Sequence, residues 1–149
     1  MGLEQEVDIL RRIPLFQNIE PSKLKLMAFA SERVTFAGGT ALFEQGEEGD
    51  AAYIVLEGTA DVRVTADSGE AITVAQVAPN DIVGEIAILC DVPRTASVVA
   101  TSELVTLKIT KELFFRMVYD FPQIGVEVMR VLAHRLEITT RQLREARGN

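Results

Sequence analysis

The spacing of apolar residues changes near residue 32 from a helical period to a period of two, which persists to about residue 110. Within this stretch each apolar run is short and ends at a turn rich in Gly, Asp, Asn or Pro, at 38–39, 44–50, 67–69 and 79–81. Apolar and polar residues that alternate along a short run are typical of half-buried strands. Many such strands at regular intervals predict a closed antiparallel roll or jelly roll.

Helical periods flank the predicted roll on both sides. Residues 3–12 and 23–29 each predict a short helix. Thr110 is a suitable N-cap for a helix over 111–119, and Pro122 lies in the first turn of a long helix that is predicted to reach about residue 146. We expect one α+β domain, mainly β, over residues 1–149: N-terminal helices in 1–30, an antiparallel eight-stranded β-roll in 31–110, and C-terminal helices in 111–149.

The composition excludes several classes of protein. No apolar run approaches the ~20 residues that span a bilayer, and residues 1–12 are too charged for the apolar region of a signal peptide. The single cysteine, Cys90, excludes an internal disulfide and fits a reducing compartment, and its residue type favours a buried structural thiol. We therefore expect a cytoplasmic protein that does not insert into membranes.

The net charge of −7 is unevenly distributed along the chain. Residues 130–149 carry five Arg and two Glu, a net charge of +3, which leaves −10 on residues 1–129. An acidic body argues against general binding of nucleic acid, and the basic tail is typical of a solvated helix end. We expect no nucleic-acid partner.

The stretch 84–100, GEIAILCDVPRTASVVA, combines groups that suit an anion. Gly84 permits a tight turn, and the residues after it can begin a helical turn whose free N–H groups attract negative charge. Pro93 fixes the approach to Arg94, whose planar guanidinium can hold two phosphate oxygens, and Thr95 adds a hydroxyl beside it. An ionised Glu85 would repel an anion unless it accepted a hydrogen bond from a hydroxyl, such as that of a sugar. The pattern indicates a ligand with both a phosphate and a ribose.

The same residues allow a second interpretation. In it they form a surface loop in which Arg94 pairs with Glu85 or another carboxylate, since short isolated motifs have high false-positive rates. Spacing alone does not separate the two.

Residues 83–98 resemble the phosphate-binding cassette of cyclic nucleotide-binding domains, the family of the bacterial catabolite activator proteins and of the regulatory subunits of cyclic-AMP-dependent protein kinase. The family pattern is Phe-Gly-Glu-(Leu/Ile)-Ala, a variable loop, and then Pro-Arg-(Thr/Ser/Ala)-Ala-(Thr/Ser)-Val. This sequence has Val-Gly-Glu-Ile-Ala at 83–87 and Pro-Arg-Thr-Ala-Ser-Val at 93–98. Only the Phe is replaced, by Val83, which changes packing more than ligand chemistry.

The resemblance implies a role for each part of the cassette. Arg94 and the N–H groups around Glu85 would hold the cyclic phosphate, Thr95 would support it, and Glu85 would accept a hydrogen bond from the ribose hydroxyl. The nucleotide-binding residues that it implies here are Gly84, Glu85, Ile86, Ala87, Arg94, Thr95 and Ala96. We expect a bound cyclic nucleotide, with no cofactor and no metal.

The long C-terminal helix carries a stripe at alternating spacings of three and four residues, formed by Met129, Leu132, Leu136, Thr139 and Leu143. This is the spacing of a short coiled-coil seam with one polar step, and it indicates a homodimer through the helix. The segment around the polar step resembles the long dimer helix of the catabolite activator proteins, in which a Thr-Ser pair hydrogen-bonds the adenine from both subunits. Carried over, Thr139 and Thr140 would read the base. They are equally compatible with helical threonines that face solvent or bond to their own backbone.

These features together predict a cyclic-AMP receptor that signals through its C-terminal helix to an unknown protein effector. A hydroxyl residue directly after the arginine, here Thr95, also occurs in cyclic-GMP-selective members, so cyclic GMP is the alternative ligand. The sequence stops within ten residues of the threonine pair. We therefore expect no helix-turn-helix after the long helix, and either a lone sensor module or a piece of a longer protein.

Two other classes of function are weighed against the receptor. Small rolls also resemble cupin enzymes, which hold a metal with clustered His and Glu, but the one histidine, His134, lies on the long helix. One His and one Cys do not assemble a nucleophile, a base and an orienting group, so we expect no enzyme. An interaction domain without ligand is the third class, and the intact Glu85 and Arg94 argue against it.

Overall fold

A computed structural model describes residues 2–147. In this range eight strands form two antiparallel four-stranded sheets, with short helices before them and a long helix after them. The elements are α1 (Leu3–Arg12), a 3₁₀ helix (Pro14–Phe16), α2 (Pro21–Ala30), β1 (Glu32–Phe36), β2 (Ala41–Phe43), β3 (Ala51–Glu57), β4 (Ala60–Thr65), β5 (Ala71–Val77), β6 (Ile82–Val83), α3 (Glu85–Cys90), β7 (Ser97–Ala100), β8 (Leu104–Thr110), α4 (Lys111–Asp120) and α5 (Pro122–Arg147). The expected α+β roll with flanking helices is confirmed.

The two sheets face each other across the interior of the roll. The strand order is β1-β8-β3-β6 in the first sheet and β2-β7-β4-β5 in the second. Ala51, Tyr53 and Val55 of β3 pack in this interior, whereas the residues that alternate with them pack against the helices. Because both faces of β3 are covered, the strand is a continuous apolar run rather than an alternating one.

A second core lies between the first sheet and the helices. The side chains of Leu10, Leu24 and Met27 are fully buried in it. The beginning of α5 joins this core through Ile124 and Val128, but α5 is exposed from residue 133 onward. The roll and its cassette are therefore fixed to the first half of α5, and the second half lies on the surface.

The ends of several elements differ slightly from the expected ones. Helix α2 begins at Pro21 rather than at residue 23, because proline is favoured in a first turn. Strand β7 begins at Ser97, so Thr95 and Ala96 lie in the loop before it. The expected N-cap of α4 is confirmed, since the Thr110 hydroxyl accepts a hydrogen bond from the Leu113 N–H at 3.1 Å.

None of the helices between residues 2 and 147 is both long enough and apolar enough to cross a membrane.

Candidate functional site

A cleft of about 230 Å³ lies between α3 and the second sheet. Seven of the residues that line it are those of the expected cassette site, and the others are apolar side chains of the roll. The lining residues are Phe43, Val62, Val77, Ile82, Val83, Gly84, Glu85, Ile86, Ala87, Arg94, Thr95, Ala96 and Val98. The cleft thus combines an apolar wall with one carboxylate, one guanidinium and one hydroxyl.

The guanidinium of Arg94 is held in the floor of the cleft by backbone carbonyls. Arg94 is 5% exposed, its Nη1 donates to the Gly84 carbonyl at 3.0 Å, and its Nη2 donates to the Ala51 carbonyl at 2.7 Å. The backbone of Arg94 is paired as well, with the Glu47 carbonyl and the Gly46 N–H. No ion pair to Arg94 occurs among the described residues, so the surface-loop interpretation with a paired carboxylate is wrong.

Two glycines leave the space that the guanidinium occupies. Gly84 has a positive φ of 86°, and a Cβ on it would lie 2.5 Å from Nη1 of Arg94. A Cβ on Gly49 would overlap the side chain of Ala87 and lie 3.2 Å from both Cζ and Nε of Arg94. Backbone therefore closes on the guanidinium from two sides, where only glycine fits.

One polar atom of this arrangement has no partner. Nε of Arg94 is buried, and no hydrogen-bond acceptor reaches it in the part of the chain that the structure describes. Burial lowers the pKa of Arg94, whereas the negative charges of Asp50, Glu47 and Glu85 and the Tyr53 hydroxyl oppose that change. Because a buried N–H without an acceptor is costly, the geometry suits an anionic ligand that supplies one.

Glu85 is the first residue of α3 and lies on the rim between two cavities. It lines the cleft and also a small apolar cavity formed by the 3₁₀ helix, β3 and α4. Burial raises the pKa of Glu85, while a hydrogen bond to its backbone N–H and the charges of Arg135 and Arg94 oppose the rise. A carboxylate in this position is best satisfied by a hydroxyl donor, as expected for a ribose.

The remaining predicted residues separate into two places. Thr95 is exposed at the mouth of the cleft, next to half-buried Ala96. Thr139 and Thr140 are exposed on α5 and do not line the cleft. Thr140 instead borders a surface groove of α5 with Leu136 and Arg144. A single chain therefore brings the cassette residues together in the cleft, but it does not bring Thr139 and Thr140 there.

Three residues of the site were missed in the sequence. Phe43 stacks on Arg94, Gly49 makes room for it, and the charge of Arg135 acts on Glu85 from α5. Gly49 lies in the acidic turn at 44–50, and the sequence of this turn indicates only a connection between strands. Phe43 and Arg135 have no local signal, because each meets its partner through the fold.

The expectation of a buried Cys90 is wrong. The thiol is exposed at the last residue of α3. Ala87 and Ile88 face the protein, and a residue two positions after Ile88 points to the other side of a helix.

Comparison with known proteins agrees with the geometry. The sequence profile of the cyclic nucleotide-binding domain matches residues 33–120, which include the roll and the cassette. Arg94, Glu85 and the glycine-led turn of α3 lie within that match. The chain belongs to the cyclic nucleotide-binding domain family.

Related proteins and structures cover most of this chain. A "CRP-like cAMP-activated global transcriptional regulator" of Mycobacterium tuberculosis is 31% identical over 136 residues, which is 91% of this chain and 61% of that protein. The N-terminal domain of a transcriptional regulator from Streptomyces coelicolor has a TM-score of 0.81 and 32% identity, and the match covers 89% of this chain and 94% of the domain. The regulatory domain of Toxoplasma gondii PKA with cAMP has a TM-score of 0.75 and 30% identity, over 79% of this chain and 45% of that one. This chain thus spans about three fifths of its mycobacterial relative.

Proposed function

We propose that this chain is a receptor module for a cyclic nucleotide, with cyclic AMP as its preferred ligand. The observation that carries the proposal is the buried Arg94, whose Nε lacks an acceptor, in the same cleft as Glu85. The guanidinium of Arg94 suits a phosphate, and the carboxylate of Glu85 suits a sugar hydroxyl. The relatives whose names include cAMP support the choice of nucleotide.

The cyclic phosphate binds at the cassette. Three of the five N–H groups of the Arg94 guanidinium remain after the bonds to Gly84 and Ala51, and one of them is the unpartnered Nε–H. The first N–H groups of α3 have no acceptor within the helix and add further donors. Thr95 places a hydroxyl at the edge of the same surface.

The ribose and the base bind further along the cleft. Glu85 accepts from the ribose hydroxyl, which satisfies a carboxylate that burial otherwise disfavours. The base lies toward α5, where Thr139 and Thr140 read it. Because both threonines are exposed in a single chain, this contact requires a second chain or a movement of α5.

Cyclic GMP is the second candidate ligand. The observation that favours it is the position of Thr95, which lines the cleft of a single chain, whereas the threonine pair does not. A hydroxyl beside the phosphate can also reach a guanine amino group. The two candidates differ in which threonines decide the preference.

The signal passes through α5. Met129, Leu136 and Leu143 of the expected seam are 62%, 68% and 61% exposed, an apolar stripe that a second copy of the helix would cover. Ligand shifts the population of α5 positions by binding one of them more tightly, and the readout is dimerisation or contact with a protein effector.

We propose no catalytic step, since the described residues that line the cleft include neither His134 nor Cys90.

Isothermal titration calorimetry of the whole chain tests this function. We expect micromolar or tighter binding of cyclic AMP, and we expect Arg94→Ala to weaken it by about 2–5 kcal/mol because a charge-assisted contact is lost. Arg116→Ala, which removes an exposed arginine of α4, is the matched control and should leave the affinity unchanged. The protein used must be folded and free of co-purified nucleotide. If neither cyclic AMP nor cyclic GMP then produces heat, the receptor proposal is wrong and the chain is better described as an interaction domain that binds no nucleotide.

A further inference from the structure

An aromatic ring lies against the guanidinium of Arg94. The Cζ atom of Arg94 is 3.9 Å from the centroid of the Phe43 ring, a stacking distance. Phe43 also lines the cleft. The ring is therefore in contact with both the cation and the space that the ligand occupies.

The orientation of Phe43 follows from an irregularity in β2. Ala41 pairs with Val99 and Phe43 pairs with Val98, so two steps along β2 oppose one step along β7. Such a bulge changes the face to which the following side chain points and is frequent beside functional sites. Here it turns Phe43 toward the floor of the cleft, and none of the three residues of β2 is fully buried or fully exposed.

Other aromatic side chains hold the ring in place. The ring centroids of Phe43 and Tyr53 are 6.2 Å apart with an interplanar angle of 31°, and those of Tyr53 and Phe36 are 5.7 Å apart in an edge-to-face arrangement. Tyr53 is only 8% exposed. Phe43 is therefore the outer member of a row of three aromatic rings that begins inside the roll.

We propose that Phe43 is a positioning residue for Arg94, a role that rests on the proposed function of the cleft. Its ring fixes the plane of the guanidinium and keeps water from one face. The carbonyls of Gly84 and Ala51 fix the rotation within that plane. The guanidinium of Arg94 is consequently held in one orientation before the ligand binds.

A double-mutant cycle separates this role from that of a simple apolar wall. We expect Phe43→Leu to lower the affinity for cyclic AMP by about fivefold to thirtyfold, the range for a desolvated cation–π contact. In an Arg94→Ala background the same substitution should change the affinity less than about twofold, because its effect acts through the missing guanidinium. Where calorimetry no longer detects binding in that background, chemical-shift titration with cyclic AMP to millimolar concentration measures it.

Val62→Ala is the matched control for the cycle. Val62 also lines the cleft, but on β4. Its loss removes apolar contact with the nucleotide and should lower affinity by the same factor in both backgrounds. Equal losses for Phe43→Leu in the two backgrounds would overturn the proposal and make Phe43 a wall residue like Val62.

Proton NMR of the ligand-free chain tests the contact without relying on any ligand. The Arg94 Hε resonance should be displaced upfield by the Phe43 ring, and Phe43→Leu should return it toward the range of other arginines. An undisplaced resonance in the wild-type chain would overturn the proposal. Failure of the wild-type chain to bind either cyclic nucleotide, with the displaced resonance present, would instead remove the proposed function and leave the Phe43–Arg94 geometry standing.

Discussion

Nη2 of Arg94 donates to the backbone carbonyl of Ala51 at 2.7 Å, across 43 positions of sequence. The bond joins the cassette to β3, the strand whose two faces contact both cores. Arg94 therefore contributes to the fold as well as to the proposed ligand site. Substitutions at or near it should change stability and affinity together.

Arg94→Lys tests whether the planar fork matters beyond the charge. A lysine keeps the positive charge, but its three N–H donors share one nitrogen, whereas Arg94 donates to Gly84 and to Ala51 from two nitrogens at the ends of a planar fork. We expect the variant to lose most of the affinity that Arg94→Ala loses, about 2–5 kcal/mol, and to unfold at lower denaturant concentration. Calorimetry and urea unfolding measure the two effects. Retention of near-wild-type affinity would show that charge alone is sufficient.

Gly49→Ala tests the space around the guanidinium. The new Cβ would overlap Ala87 and press on Arg94, so one of them must move. We expect a loss of about 1–3 kcal/mol in the free energy of unfolding, as for overpacked sites, together with weaker cyclic nucleotide binding. Gly38→Ala is the control, because a Cβ there meets its nearest atoms at an ordinary 3.5 Å. Equal behaviour of the two variants would contradict the close approach at Gly49.

Glu85→Gln tests the electrostatic state of the cleft. The fold raises the pKa of Glu85, chiefly by burial, so the folded chain holds this proton more tightly than the unfolded chain. The free energy of unfolding contributed by Glu85 is then highest below the unfolded pKa, about 4.3, and falls as pH rises through the folded pKa. We expect Glu85→Gln to be more stable than wild type by an amount that grows with pH over this window and then levels off. The same variant should bind cyclic AMP more weakly at neutral pH, because an amide is a poorer acceptor for the ribose hydroxyl.

Thermal unfolding at a series of pH values measures the stability difference. Glu70→Gln, in an exposed turn, controls for the loss of one negative charge. A difference between wild type and Glu85→Gln that stays constant from about pH 4 to pH 7 would be inconsistent with a raised pKa.

Much of this structure could be predicted from local patterns. The turns of the roll carry Gly and Asp, Thr110 caps α4, and Pro122 is the first residue of α5. A period of two in the strands and of nearly four in the helices separates the two kinds of element. Each of these signals acts within a few residues, where sequence and conformation are directly linked. The cassette was also visible because its residues are close together in the chain.

What could not be predicted depends on contacts between distant segments. Phe43 meets Arg94 because of a bulge in β2, and the Ala51 carbonyl meets it because β3 passes beneath the cassette. The burial of Arg94 gave no sequence signal, since arginine is ordinarily exposed. The seam of α5 was visible as a pattern, but the pattern does not state what covers it.

The apolar seam of α5 leads to a prediction about assembly. Leu136 is 68% exposed in the single chain, and burial of such a side chain in a coiled coil contributes about 1.5–3 kcal/mol. We expect the wild-type chain to be a dimer with cyclic AMP bound, and Leu136→Lys to shift it to monomer by placing a charge in the seam. Leu26→Lys is the matched control, because Leu26 is 49% exposed on α2, away from the seam. Multi-angle light scattering measures the mass, and a wild-type chain that is monomeric both with and without nucleotide would remove the seam from the signalling pathway while leaving the cleft intact.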